Sequence, residues 1–136
     1  MSKLFQVIDI KTHSRTEIIS ITSHIQSVVK NSHVSDGFCL VYIPHTTAGV
    51  TINEDADPSV KSDILKELNK VIPFNDNYSH LEGNAAAHIK SSLVGSSVNV
   101  IIRNNNLNLG TWQGIFFCEF DGPRNRQVIV QILKES

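Results

Sequence analysis

Phe38-Cys39-Leu40-Val41-Tyr42-Ile43-Pro44-His45-Thr46-Thr47-Ala48-Gly49-Val50-Thr51-Ile52-Asn53-Glu54-Asp55-Ala56-Asp57-Pro58 is the stretch from which the rest of the chain is read. Residues 38–43 are apolar at successive positions, which predicts a central strand covered on both faces. Gly49 to Ile52 predicts a short strand after a bend. Asp57-Pro58 marks a helix start, because Asp accepts hydrogen bonds from backbone N–H groups that the first turn leaves free. Pro stands there at no cost, since its missing N–H would have no partner anyway. Val60, Ile64, Leu68 and Val71 then recur at helical spacing, widened by Leu65 and Ile72. The other positions are mostly charged, so this is a surface helix packed on a sheet, ended by Pro73.

Upstream, residues 3–12 and 15–21 read as two strands joined by a turn at His13-Ser14-Arg15, which predicts a hairpin. Ser23 and Gln26 fit a capping box, with Ile25, Val28 and Val29 as the apolar stripe of a helix that ends near Asn31. His24 and His33 are expected on its surface or in the loop after it. Downstream, residues 74–83 form a polar loop. Asn84 is placed to cap a helix from Ala85 to Leu93, which Gly95 closes. Strands follow at 97–102 and 107–109 about an Asn104-Asn105-Asn106 turn, then at 114–120 and 128–133 with residues 121–125 as a hairpin loop. The expected class is α+β: a single domain over residues 1–136, a mostly antiparallel sheet or sandwich, and about three helices.

The chain has 136 residues, 40% hydrophobic and 18% charged, which suits one globular core and argues against long disordered spans. The modest charged fraction leaves room for a subunit interface. Lys plus Arg is 12 against 13 for Asp plus Glu, a net charge of -1, so no nucleic-acid partner is expected. Arg124 and Arg126, beside Asp121, are the one local basic pair. No run of about 18 apolar residues is present and no membrane partner is expected. The N-terminal residues lack a signal-peptide core. Cys39 and Cys118 lie in apolar strand-like runs, so reduced buried thiols are expected, and with them a cytoplasmic setting.

His45, His80 and His88 all fall near predicted element ends. His88 shares a helix face with Asn84, four residues earlier. Three imidazoles and a water would make an open site for a divalent metal, zinc-like by ligand type, with magnesium possible. No His-x-x-x-His spacing supports this, and loop or interface histidines are the plainer reading. Asp57 is accounted for as a cap. Glu54 and Asp55 either favour the positive end of that helix or order a cation. Thr46 and Asn53 are candidate hydrogen-bond partners of a substrate. Glu82 is a candidate general base. Glu119 shares a strand face with Ile115 and Phe117, where apolar surroundings would raise its pKa if no cation is close. Trp112 and Gln113, bracketed by Gly110 and Gly114, form either a packed turn or a platform for a planar ligand. No Ser nucleophile elbow is present, and neither Cys has cationic surroundings.

His45-Thr46-Thr47-Ala48-Gly49, Thr51-Ile52-Asn53-Glu54 and Ala56-Asp57-Pro58 resemble the YjbQ-like family. So do Glu82-Gly83-Asn84, Ala87-His88-Ile89-Lys90, Gly110-Thr111-Trp112-Gln113-Gly114-Ile115 and Glu119-Phe120-Asp121-Gly122-Pro123-Arg124. The resemblance runs in unbroken order over nearly the whole chain. It implies an α+β homotrimer with histidines near a subunit interface, His45 and His88 at the site and His80 as third imidazole. It makes Asn53, Glu54, Asp57, Glu82, Asn84, Trp112, Gln113 and Glu119 candidates to line that site. The name attached to the family, secondary thiamine-phosphate synthase, implies joining a pyrimidine diphosphate to a thiazole phosphate. For that chemistry Lys90 and Arg103 are the nearest cationic candidates, and no phosphate loop is visible. The sequence therefore leaves two readings: a metal-dependent small-molecule enzyme, a transferase or a metal-assisted hydrolase, and a metal- or ligand-binding homotrimer without turnover.

Overall fold

In the computed structural model, which describes residues 3–136, eight strands and three helices follow one another as β1 (Phe5–Lys11), β2 (Glu17–Ser20), α1 (Thr22–Ser32), β3 (Gly37–Tyr42), β4 (Ala48–Glu54), α2 (Pro58–Val71), α3 (Ala85–Val94), β5 (Ser97–Arg103), β6 (Asn106–Leu107), β7 (Gln113–Glu119) and β8 (Asn125–Lys134). The strands form two sheets, ordered β1-β8-β3-β5-β6 and β2-β7-β4. Every pairing is antiparallel. The α+β class, the three helices and the element order agree with the sequence reading.

Both expected hairpins are corrected. β1 ladders with β8 and β2 with β7, so residues 12–16 and 120–124 each carry the chain from one sheet to the other. The two corners run side by side. Thr12 N–H donates to the Arg124 carbonyl at 2.9 Å, and Gly122 N–H to the Arg15 carbonyl at 2.9 Å. Gly122 permits this approach, since a Cβ there would lie 2.3 Å from the Ser14 oxygen. Turn signals fix a reversal of direction; they do not say whether the next strand joins the same sheet.

The main core lies between the sheets. Cys39 and Val41 of β3, Val100 and Ile102 of β5, Ile115 and Phe117 of β7, and Val128, Val130 and Ile132 of β8 meet there with Ile25, Val28 and Val29 of α1. The capping box of α1 is corrected. Ile21 holds the cap position, with no side-chain cap bond, and Ser23 lies within the helix. Gln26 instead ties α1 to the β5–β6 turn, accepting from Leu107 N–H at 3.0 Å and donating to the Asn105 carbonyl. Asp57 does cap α2, accepting from Ser59 N–H at 2.9 Å, and Pro58 opens the helix. That N–H, with the Ser59 side chain, holds the Asp57 carboxyl below its usual value.

α2 and α3 cover the outer face of the three-stranded sheet, where Ala87 packs with Cys118, Phe120 and Leu68. Its central strand β7 is therefore buried on both faces. β3 is central in the larger sheet, as expected, but covered on one face only. Phe5, Val7, Phe38, Tyr42, Ile101 and Leu133 share the other face and are each 41–54% exposed. The register places Phe38 between Leu133 and Ile101 across three strands. Cys39 and Cys118 are free buried thiols, pushed by burial to about 12. Among the described residues no helix is long and apolar enough to cross a membrane.

Candidate functional site

β3 ends at Tyr42, and residues 43–47 carry the chain to β4 in the other sheet. This corner faces the start of α3, the loop before it and the first residues of β8. Between them lies an open cavity of about 700 Å³, whose walls include Tyr42, His45, Thr46, Thr47, Glu82, Asn84, His88, Ser96, Arg124 and Arg126. Five residues expected in the site thus meet here: His45, Thr46, Glu82, Asn84 and His88. Glu119 stands directly behind the cavity.

Glu119 is fully buried, and it is not the lone carboxylate that its strand position suggests. Arg126 reaches it from β8, with Nε 2.9 Å from Oε1 and Nη2 close to Oε2. Thr12 Oγ1 donates to Oε1 at 2.7 Å, and Asp121 N–H to Oε2 at 3.0 Å. Burial by itself raises a carboxyl pKa. Here the hydrogen bonds from Arg126, Thr12 and Asp121, with the Arg126 charge, outweigh it and hold Glu119 below its usual value. An ionised carboxylate with both oxygens engaged holds a partner in place; it does not relay protons.

His45 Nε2 accepts a hydrogen bond from Gln127 N–H at 2.9 Å. Burial and the nearby Arg126 charge lower its pKa, so the ring is neutral near pH 7 and carries its proton on Nδ1. His45 is thereby a donor, with no nitrogen left for a metal in this orientation. His80 and His88 meet edge to face with ring centroids 5.2 Å apart, and His80 Nε2 lies 3.9 Å from Glu82 Oε2. Among the described residues no three His, Cys, Asp or Glu side chains gather closely enough to hold a metal ion. The three-imidazole set does not fit as it stands.

Asn84 occupies the cap position of α3 without capping it. Its Nδ2 donates to Asp121 Oδ2 at 2.9 Å, which fixes the amide orientation, because the reverse would set oxygen against carboxylate. Oδ1 is left shielded from solvent with no donor. Burial would raise the Asp121 pKa. The bonds from Asn84 and Arg124, and the Arg124 charge, hold it down.

The remaining expected residues lie elsewhere. Asn53 and Glu54 pair with Gly114 and Gln113 at the far end of the β4–β7 ladder, six residues and about 20 Å along the strand from Ala48. Asn53 Oδ1 accepts from Glu54 N–H, and Gln113 Oε1 closes the 110–113 turn on Gly110 N–H. Trp112 is 64% exposed beside them. This polar end and the His45 corner are not joined within one chain.

Neither cation singled out from the sequence reaches the cavity wall. Arg103 pairs with Glu135 and Asp36 at the β5 edge. Lys90 is fully buried, donating to Asn69 Oδ1 and lying 4.2 Å from the Phe74 ring centre, whose ring Arg15 also covers. Burial, then the Arg15 charge, lowers Lys90 to about 8 from 10.5. The unfolded chain then binds more protons between these values, so stability rises with pH from about 8 to 10.5. We expect Lys90→Met to abolish this rise in urea midpoints measured across that range, with no loss of stability at pH 7. The cavity's guanidinium groups are instead Arg124 and Arg126. The sequence signal for them was the basic pair two residues apart beside Asp121.

The family model described as UPF0047 protein YjbQ-like matches residues 6–135. UPF0047 protein MJ1081 of Methanocaldococcus jannaschii is 57% identical over 93% of this chain and 92% of its own length. UPF0047 protein YugU of Bacillus subtilis is 48% identical over 96% and 99%. A crystal structure of a conserved YjbQ/UPF0047 family protein from Clostridium acetobutylicum superposes with a TM-score of 0.93, at 54% identity, covering 94% of this chain and 99% of that one. By profile, sequence and fold together, the chain belongs to the YjbQ-like (UPF0047) family.

Proposed function

We propose that the His45–His88 cavity is the active site of a small-molecule enzyme. The observation that carries this reading is one open cavity walled by two imidazoles, a carboxylate and two guanidinium groups. His88 and the exposed Glu82 are the groups able to move protons, since neither is paired with an arginine or lysine among the described residues. His45 donates through Nδ1–H, and the exposed Glu82 carboxylate accepts. The family resemblance supplies the first substrates to assay, the pyrimidine diphosphate and thiazole phosphate precursors, with hydrolysis of either as the alternative reaction. We expect turnover to fall at least about a hundredfold in His88→Ala and in Glu82→Gln with the fold intact. Unchanged rates in both would place the chemistry elsewhere.

A second reading puts a divalent metal, zinc-like or magnesium, on His80 and His88 with its further ligands from a neighbouring copy, since no three ligands gather within the described residues of one chain. The edge-to-face imidazole pair favours it, since imidazole is a common ligand of zinc-like ions. Elemental analysis of protein purified without chelator tests it: one equivalent per chain is expected, lost in His88→Ala.

The working unit is a homotrimer. Its support is the open apolar face of the five-stranded sheet, a surface that a lone soluble chain does not usually leave exposed. Tyr42 belongs both to that face and to the cavity wall, so a second copy on the face also flanks the site.

A further inference from the structure

The buried ion pair behind the cavity leaves a pattern of unused donors. Arg126 lines the cavity although it is only 4% exposed. Nε bonds Glu119, and Nη2 bonds Glu119, Thr47 Oγ1 at 2.9 Å and the Thr47 carbonyl at 3.3 Å. Nη1 is its one nitrogen with no acceptor among the described residues, and it is not among the side-chain atoms sealed from solvent without a partner. A buried ion pair is a weak source of stability, since apolar residues of similar volume do as well or better. What this pair does accomplish is to fix one edge of a guanidinium so that the other edge faces open space.

More donors surround that edge. Arg124 is held by its Nε on the Asp121 carbonyl and its Nη2 on Asp121 Oδ2, which leaves Nη1 unpaired. His45 presents Nδ1–H because Gln127 N–H occupies Nε2. Thr46 adds an exposed hydroxyl. The acceptors Glu82 and Asn84 also line the cavity. A fixed guanidinium edge with further N–H donors matches a phosphate or carboxylate, whose several lone pairs accept more than one bond.

We propose that the cavity takes a small molecule bearing an oxyanion, a phosphate ester or a carboxylate, seated on Arg126 Nη1 with Arg124 and His45 as further donors, and that Glu119 is the positioning residue for Arg126. This rests on the reading of the cavity as a small-molecule site and adds where the ligand's anionic group is seated and what Glu119 does for that seat. Glu119 acts only through Arg126 and touches no ligand.

The test titrates the native protein with inorganic phosphate and, separately, with acetate, at constant ionic strength by calorimetry. Saturable binding of one of them is expected, phosphate pointing to a phosphate ester and acetate to a carboxylate. Absence of binding by both overturns the proposal. The double variant Glu119→Gln, Arg126→Gln removes the floor without leaving a lone buried charge. It is expected to weaken binding at least about tenfold with an unchanged circular dichroism spectrum. Folded double variant with native affinity overturns the proposal. Should that variant fail to fold, Arg126→Lys decides, because an ammonium keeps the buried charge but has no second nitrogen for the cavity. Native affinity in Arg126→Lys is then the overturning result. Binding lost in His88→Ala but retained in the double variant would remove Arg126 and leave the cavity as the site. Binding retained in both would remove both.

Discussion

Arg126→Ala is expected to destabilise the chain by about 3–5 kcal/mol, the cost of leaving one partner of a buried ion pair alone. Glu119 is fully enclosed between the two sheets and would keep Thr12 and Asp121 as partners but lose the Arg126 counter-charge. Chemical denaturation measures the loss directly. Glu119→Gln should cost a comparable amount, because the amide still accepts from Thr12 but leaves the buried Arg126 guanidinium without a counter-charge. Combining the two neutral substitutions should recover part of the loss, so the double-mutant cycle returns a coupling of opposite sign to the single costs. The pH dependence follows from the lowered carboxyl. A group whose folded pKa lies below its unfolded value stabilises the fold above that unfolded value, 4.5 here, and loses the contribution as pH falls toward the folded pKa. The native chain should therefore lose stability below about pH 4.5, and Glu119→Gln should lose less of it over the same range.

Phe38→Glu is expected to turn the proposed homotrimer into a monomer without unfolding the chain. Phe38 sits at the middle of the open face, flanked by Leu133 and Ile101 on neighbouring strands, and already meets solvent in the single chain. A carboxylate there costs little in a monomer. In an interface it would be buried against apolar side chains without a cation, weakening association about a hundredfold or more. Sedimentation velocity at matched concentrations reads the outcome, with circular dichroism as the check on folding. A native-sized Phe38→Glu assembly would move the interface off this face.

These two residues show where the sequence spoke and where it did not. Alternation, caps and turns are local, so strand and helix existence was legible: Asp57-Pro58 opens α2, and Asn104-Asn105 take left-handed backbone, as such residues do. Pairing is not local. The turn signals at residues 13–15 and 121–125 predicted hairpins, whereas both segments cross between sheets. The apolar runs of β3 and β7 look alike in sequence. In β7 both faces are covered by the chain itself, through α2 and α3 on one side, while β3 keeps one face open. An apolar residue reports that something covers it, not whether the cover is the same chain.

The candidate site divided in the same manner. His45, Glu82, Asn84 and His88 converge because the corner after β3, the loop before α3 and the start of α3 meet at one end of the sandwich. The family resemblance joins Asn53, Glu54, Trp112 and Gln113 to them, but within one chain these lie at the other end of the β4–β7 ladder. Glu119 was singled out correctly as unusual. Its partner went unread because Arg126 is seven residues away across an inter-sheet corner, where spacing carries no information about contact.

The most direct test of the central claim is an amide chemical-shift map of the labelled protein during titration with the pyrimidine diphosphate and thiazole phosphate precursors. The largest shifts are expected to gather at residues 45–47, 82–88 and 124–127. Shifts gathered instead at residues 53–55 and 110–113 would contradict it and move the site to the opposite end of the sandwich.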